Sequence, residues 1–320
     1  MTIRMLPDNI INRIAAGEVI ERPAAVVKEL VENSLDASAT QIDVLLRDGG
    51  RTQIIVTDNG TGMNASEISL AVERHATSKL PKDDLTLVET MGFRGEALPS
   101  IGAVSRLTIT SRPHNEEAWQ LFIEGGKKNA PEPASHPNGT QVEVCDLFFA
   151  TPARLKFLKT ERTELEHALD AVQRLAMSNP DVAFTVRDGD RVRFSCKSES
   201  DLIGDESALL RRLSHVMGRE FSENALNIKA EREGVKLFGY VGLPTLNRNT
   251  SRHQYLFVNR RPVRDKLLNG AVRAAYQDFL ARQRHPLVAL FVTINSDMVD
   301  INVHPAKTEV RFRDSGVIRG

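Results

Sequence analysis

Glu29, Asn33 and Asp36 recur at intervals of four and three residues in "PAAVVKELVENSLD". That spacing places all three on one face of a helix. Val27, Leu30, Val31 and Leu35 recur on another face and read as its core stripe. A carboxylate and an amide one turn apart have two uses. They form a solvated polar face, or they hold water and a hard cation, since Mg²⁺ takes only one or two protein ligands and keeps its waters. Asn33 gives weight to the second use, because Asn is a poor helix-interior residue with no cap role at mid-helix.

Asp58 ends the apolar run "IIVTD" and leads into "NGTGM", so an acid stands at a strand exit followed by Gly60 and Gly62. Such a stretch serves as an ordinary strand-to-turn exit. It also serves as a ligand site, where glycines let a molecule approach the backbone and the carboxylate accepts a hydrogen bond from an exocyclic amine such as that of adenine. A buried acceptor left unpaired costs about 1–3 kcal/mol, so an acid of this kind discriminates. In "GFRGEAL", Gly92 and Gly95 bracket Phe93 and Arg94 ahead of the helix-like "EALPSIGAV". A helix start offers unpaired N–H groups and the positive end of a dipole, which together favour phosphate. The same fragment also fits a plain Gly-capped connection. No G-x-x-x-x-G-K-[ST] and no complete G-x-G-x-x-G occurs, so any use of ATP proceeds without a P-loop or a Rossmann fingerprint.

The elements that must position these residues follow from periodicity. Pro23 opens a helix over 23–36. "QIDVLLR" and "TQIIVTD" read as strands joined by "DGG", and "ASEISLAVER" reads as a helix. Residues 75–95 are polar and punctuated and read as a long mobile segment. Strands follow at "SRLTITSR", "AWQLFIEG" and "TQVEVCDLF", then a long helix over "RTELEHALDAVQRLAMS" and a hairpin turning at "DGD". "CKSESDLIGDESA" reads as a domain junction. Beyond it stand a helix "LLRRLSHVMG", strands "ALNIKAE", "KLFGYVGL" and "QYLFVN", a helix from about residue 265 to 283, and strands "LVALFVTI" and "VDINVH". This is a two-domain α+β chain.

Composition is that of an ordinary soluble protein, with 41% hydrophobic and 26% charged residues in 320. Formal net charge is zero, so contact with nucleic acid must come from a local patch. The two cysteines, Cys145 and Cys196, fit a reducing cytosol and argue against a disulfide framework. The eight histidines show no metal-ligand spacing, and neither a signal peptide nor a membrane-spanning run is legible. Residues 248–273 hold Arg248, Arg252, Arg260, Arg261, Arg264, Lys266 and Arg273 against Asp265 alone, a local excess of six positive charges. Arg154, Lys156, Lys159 and Arg162 form a second cluster. Clusters of this kind are either solvated faces or phosphate-backbone contacts that are salt-sensitive and indifferent to base sequence.

Taken in order, Glu29–Asn33, Asp58–Gly60–Gly62, Gly92–Gly95 and the strand residue Thr140 resemble the ATPase superfamily of gyrases, heat-shock chaperones, histidine kinases and MutL proteins. Within it, "AAGEVIERPAAVVKELVENSLDA", "ERHATSKL", "GFRGEALPSI", "FATPARLKFLK", "YLFVNRRPV" and "VDINVHPAKTEVRF" resemble the MutL family of DNA mismatch-repair ATPases over essentially the whole chain. The resemblance implies an α/β sandwich ATPase domain over 1–203 with a lid at about 75–98. It further implies a smaller ribosomal-protein-like mixed α/β domain over 204–320, with a C-terminal dimerisation domain expected beyond.

The resemblance also assigns roles. Glu29 is expected as the general base, Asn33 as a Mg²⁺ ligand with Asp36 nearby, and Asp58 as the adenine contact with Thr140 beside it through water. Gly60 and Gly62 line the nucleotide, Thr77, Ser78 and Lys79 belong to the lid, and Gly92, Phe93, Arg94 and Gly95 wrap the phosphates. Lys307, in "INVHPAKTEV", is expected to reach the γ-phosphate from the second domain. ATP and Mg²⁺ are the implied cofactors. DNA, a mismatch-recognition protein, a downstream nuclease or helicase, and a second copy of the chain are the implied partners, in a bacterial cytoplasm. A chaperone-type or topoisomerase-type clamp of the same superfamily is the rival reading, and "GFRGEAL" and "NVHPAK" argue against it. A module that holds nucleotide without hydrolysing it is opposed by the intact Glu29.

Overall fold

The computed structural model describes residues 7, 16–17, 20–74, 76–77, 79, 91, 95–199, 205–300 and 309–319. These divide into two units. One is built from the described parts of Met1–Asp84, Thr90–Val172 and Val182–Ser198, the other from those of Gln173–Asp181 and Glu199–Gly320.

The first unit contains α1 (Pro23–Asp36), β1 (Gln41–Arg47), β2 (Gln53–Asp58), α2 (Ala65–Ala71), α3 (Ala97–Val104), β3 (Arg106–Arg112) and β4 (Ala118–Glu124). It continues with β5 (Lys127–Lys128), β6 (Glu132–Ala134), β7 (Gly139–Cys145), α4 (Pro152–Leu155), the start of α5 (Glu161–Ser178), β8 (Ala183–Asp188) and β9 (Arg191–Cys196). The strands form one sheet in the order β5-β4-β3-β7-β2-β1-β8-β9, with β6 on β4. Only β1 and β8 run parallel among these pairs.

Period-two alternation decides the faces. Ile42, Val44, Leu46, Ile54, Val56, Leu107, Ile109, Val142, Val144, Phe184 and Val186 are buried on one side of the sheet. The other side carries polar ladders such as Gln53 Nε2 donating to Glu143 Oε1 at 2.5 Å. Helices therefore cover one face, the arrangement of a two-layer sandwich. Three polar residues break the inward apolar pattern: Asp58, Thr140 and Ser111. Asp58 is paired with Thr140, and Thr140 with Ser111, so they form one row across β2, β7 and β3.

The helix α1 is covered more fully than a two-faced reading expects. Glu32 and Ser34 are buried along with Val26, Val27, Leu30 and Val31, whereas Leu35 of the expected core stripe is only half-buried. Glu32 is neutralised by Lys28 Nζ at 2.8 Å, one turn back. The helix at "ASEISLAVER" ends at Ala71, and Asn64 opens it with a capping box to Glu67.

The second unit holds the end of α5, α6 (Asp205–Met217), α7 (Arg219–Glu223), β10 (Ala225–Arg232), β11 (Val235–Gly242), β12 (Asn247–Arg248), β13 (Gln254–Val258) and β14 (Arg261–Val263). α8 (Lys266–Ala275), β15 (His285–Pro286), β16 (Val288–Thr293), β17 (Val299–Asp300), β18 (Arg311–Phe312) and α9 (Ser315–Arg319) complete it. The main sheet runs β10-β11-β16-β13-β14. Its central strands β13 and β16 are buried almost throughout, because Leu213, Phe221 and Phe257 pack on one side and Leu268, Val272 and Val288 on the other.

Two boundaries differ from the sequence reading. The first helix of this unit begins at Asp205, inside the polar stretch read as a junction. The helix expected to reach residue 283 stops at Ala275. Beyond that point "QDFLARQRH" offers no continuous apolar stripe, and the Tyr276 hydroxyl is held by the carbonyl oxygen of Gly242 at 2.6 Å. Most of "VDINVH" lies outside the described residues.

Candidate nucleotide site

Asp58 is 9% exposed and both of its oxygens are engaged. Ser34 Oγ donates to Oδ2 at 2.7 Å, and the Gly60 amide donates to Oδ1 at 2.9 Å. A carboxylate accepts about four hydrogen bonds, so capacity for a ligand amine remains. The neighbouring row is equally connected. Ser111 Oγ lies 2.8 Å from Thr140 Oγ1, and it also accepts from the Met63 amide at 2.8 Å. The strand exit thus turns through Gly62, whose φ of +71° favours glycine and whose added Cβ would collide with the Arg112 carbonyl.

On α1, Glu29 and Asn33 are partly buried and the Asp36 side chain is only 7% exposed, so this is no freely solvated face. Lys79 Nζ donates to Asn33 Oδ1 at 2.8 Å and to Asp36 Oδ2 at 2.5 Å. The Met91 amide donates to Asp36 Oδ1 at 2.8 Å. Glu29 Oε1 lies 3.5 Å from Lys28 Nζ. The Lys79 ammonium answers whether the residues fit a metal ion. Asn33 and Asp36 already converge their oxygens on one cationic centre, and hard oxygen donors suit Mg²⁺. Among the described residues no group of three or more His, Cys, Asp and Glu side chains is placed to hold a metal ion.

Thr77, through Oγ1, accepts from the Lys79 amide at 3.1 Å. Gly95 has φ +61° and approaches Ala76 so closely that a Cβ would collide with the Ala76 carbonyl. It leads into α3 through Glu96. Pro99 is tolerated in the first turn of α3 because amides there lack intrahelical acceptors. Ser78, Gly92, Phe93, Arg94 and Lys307 lie outside the described residues.

The sequence reading missed Ser34 and Ser111. Ser111 was legible in principle, since it interrupts the inward series Leu107, Ile109 at the strand end. Ser34 was not, because its relevance depends on which strand packs beneath α1.

The basic residues separate by burial. Lys156, Lys159, Arg162, Arg260, Arg264 and Lys266 are exposed or largely so. Arg162 pairs with Glu166 at 3.3 Å, and Arg260 lies 3.7 Å from Asp181. Arg261 is 6% exposed and Arg154 is bound to backbone carbonyls, which removes both from the solvent-facing set. Asp265, the one acid in the patch, is spent capping α8 through the Leu267 and Leu268 amides.

Comparison with known proteins identifies the family. The family profile described as "Histidine kinase-, DNA gyrase B-, and HSP90-like ATPase" matches residues 21–143, and "DNA mismatch repair protein, C-terminal domain" matches residues 213–320. The DNA mismatch repair protein MutL of Paramagnetospirillum magneticum is 61% identical over the whole chain, and that of Rhodospirillum rubrum is also 61% identical. The chain spans about half the length of these relatives, 53% and 51%. Among solved structures, the Aquifex aeolicus MutL ATPase domain complexed with ADP is 32% identical, with a TM-score of 0.66, over 86% of this chain and 93% of that one. The N-terminal domain of a DNA repair protein, 26% identical, gives a TM-score of 0.81 over 97% of this chain and 94% of that one. The chain therefore belongs to the MutL family of DNA mismatch repair proteins, as its N-terminal ATPase and transducer region.

Proposed function

We propose that this region binds and hydrolyses ATP with Mg²⁺ and uses the nucleotide to operate a DNA-binding clamp in mismatch repair. The observation that carries the reading is the Ser34–Asp58 bond, which fixes the helix bearing Glu29 and Asn33 against the strand exit bearing Gly60 and Gly62. A base, a metal ligand and an adenine acceptor are thereby held on two rigid elements. Phosphoryl transfer depends on such positioning and on charge neutralisation more than on covalent chemistry.

In this reading Asp58 accepts from the adenine amine, with Thr140 and Ser111 ordering the adjoining polar row. Asn33 holds Mg²⁺, with Asp36 beside it. Mg²⁺ would supply neutralisation of the phosphate oxygens. Glu29 orients the attacking water and takes its proton, a contribution on the order of 10²–10⁴ in rate. Thr77, Ser78, Lys79, Gly92, Phe93, Arg94 and Gly95 close over the phosphates, and Lys307 reaches the γ-phosphate. ATP binding pairs two N-terminal regions around DNA, and hydrolysis reopens them. Lys156, Lys159, Arg162, Arg260, Arg264 and Lys266 contact the DNA backbone without reading bases, so affinity falls steeply with salt. A mismatch-recognition protein and a downstream nuclease or helicase are the partners the reading calls for.

The test is Glu29→Ala. The variant is expected to bind ATP by calorimetry and to sediment as a dimer with a non-hydrolysable analogue, yet to release no phosphate. Normal turnover would remove Glu29 from the mechanism, and no turnover in the parent protein would overturn the ATPase reading.

A further inference from the structure

Arg154 differs from the other basic residues of "ATPARLKFLK" in what holds its guanidinium. Nη1 donates to the Ile20 carbonyl at 2.8 Å, and Nη2 donates to the Gly17 carbonyl. Its Cζ lies 5.9 Å from the ring centroid of Phe148, a side chain buried completely. The base of the side chain is fixed as well. α4 begins after a turn in which the Thr151 amide donates to the Phe148 carbonyl at 2.9 Å.

Of the two carbonyls it reaches, that of Gly17 belongs to a helical residue and that of Ile20 does not. Ala16 and Gly17 are helical, and the Ile20 amide donates to the Ala16 carbonyl at 2.8 Å. The last carbonyls of a helical turn lack intrahelical donors, and a cation is favoured there. Ala16 and Ile20 are fully buried, so an unpaired carbonyl between them is unfavourable. A guanidinium is a rigid planar fork that serves two carbonyls at once, whereas an ammonium is a single point charge. Gly17 completes the fit. A Cβ added there would lie 2.6 Å from Arg154 Nη2, so a side chain at residue 17 displaces the guanidinium end from its present position. Beyond Ile20 the chain enters α1 through Arg22 and Pro23.

We propose that Arg154 is a positioning residue that clasps the N-terminal segment at Gly17 and Ile20, directly upstream of the helix bearing Glu29 and Asn33. It is not a phosphate-backbone contact. The functional consequence rests on the reading above: pairing of N-terminal regions on ATP requires this segment to be presented in one place. The clasp itself is independent of that reading.

The experiment uses the 320-residue chain with Arg154→Gln, Arg154→Lys, Gly17→Ala and the Gly17→Ala/Arg154→Gln double variant. Hydrogen exchange without nucleotide reads the Ile20 amide. Each single variant is expected to lose about tenfold in protection, Lys no better than Gln, because two carbonyls lose a charged fork. The double variant is expected to lose no more than the worse single, since both substitutions undo one interaction. Sedimentation with a non-hydrolysable ATP analogue is expected to show weaker pairing in the same variants, while calorimetry gives the parent's ATP affinity. Unchanged Ile20 protection in Arg154→Gln, or additive losses in the double variant, would overturn the clasp. So would a tenfold loss of DNA affinity with Ile20 protection retained, which would return Arg154 to a DNA-facing role. If Arg154→Gln does not fold, Gly17→Ala alone carries the exchange measurement. A parent chain that fails to pair on nucleotide would sink the clamp reading and leave the exchange result to judge the clasp.

Discussion

Ser34 donates its hydroxyl to Asp58 at 2.7 Å, joining the buried side of α1 to the last residue of β2. The bond holds one carboxylate oxygen in place, while the Gly60 amide holds the other. The acid is therefore held in one orientation by protein groups alone, which in the proposed reading pre-organises it as the adenine acceptor.

Two substitutions grade this relationship. Asp58→Ala removes the carboxylate that the Gly60 amide donates to, while the Ser34 hydroxyl keeps the Leu30 carbonyl at 3.2 Å as an acceptor. ATP affinity should fall by more than tenfold in calorimetry. Ser34→Ala leaves the acceptor but frees its orientation, and one hydrogen bond of about 1 kcal/mol predicts a loss near fivefold. Equal losses in the two variants would show that Ser34 does more than orient.

Lys79 stands as an internal cation between Asn33 and Asp36. Lys79→Met should release both oxygens to a free ion. In the absence of nucleotide, Mn²⁺ titration followed by electron paramagnetic resonance should show tighter binding by roughly fivefold, the size of about 1 kcal/mol for a partly exposed ion pair. Weaker Mn²⁺ binding in the variant would mean that Asn33 and Asp36 need Lys79 to be held in place.

Cys145 is a half-buried thiol whose pKa is pushed up to about 11, first by burial and then by the Glu143 charge, with Sγ donating to Glu143 Oε1 at 3.6 Å. The thiolate is the reactive form. At pH 8 the folded protein should react with iodoacetamide about a hundredfold more slowly at Cys145 than the unfolded chain does, from the ratio of thiolate fractions. The linkage has a definite sign. The neutral thiol favours the fold, so its contribution is complete below the unfolded value of 9.0 and is lost as pH rises from there to about 11. Mass spectrometry of the alkylated peptides checks the rate, and fast labelling at pH 8 would contradict it.

Arg212 is completely buried and donates to the carbonyls of Ala176, Asn179 and Pro180 at 2.9, 3.2 and 2.9 Å. It serves the C-terminal end of α5, where carbonyls lack intrahelical donors. Arg212→Met removes the charged donors from all three, although the Ala176 carbonyl keeps the Asn179 amide at 3.3 Å and the Pro180 carbonyl keeps the Glu199 amide at 2.8 Å, for a loss of about 1–3 kcal/mol. Urea unfolding should show the midpoint fall with little change in slope. Arg212→Lys should recover only part, since one ammonium does not span three carbonyls.

The sequence by itself determined the type of nearly every main element and the order of the site residues. Alternation in "QIIVTD" and "GTQVEVC", and helical spacing in "PAAVVKELVENSLD", are local properties, and local patterns fix whether a segment is strand or helix. Asp58 was legible as an acid at a strand exit ahead of Gly60 and Gly62, whereas Thr140 was reached only through the family resemblance. The end of the helix at Ala275 was read too far along, although the lack of an apolar stripe in "QDFLARQRH" is a local property; the bond from Tyr276 to the Gly242 carbonyl is what only the tertiary structure shows. Tertiary structure alone decided the rest. Asp58 meets Ser34 across 24 positions, Thr140 meets Ser111 across 29, and Arg154 meets Ile20 across 134. Those meetings are set by sheet register and by which helix covers which strand, and no periodicity within a segment encodes a partner that far away. For the same reason charge alone could not sort Arg154 and Arg261 from Arg260 and Arg264, since burial depends on the strands and turns that surround each side chain.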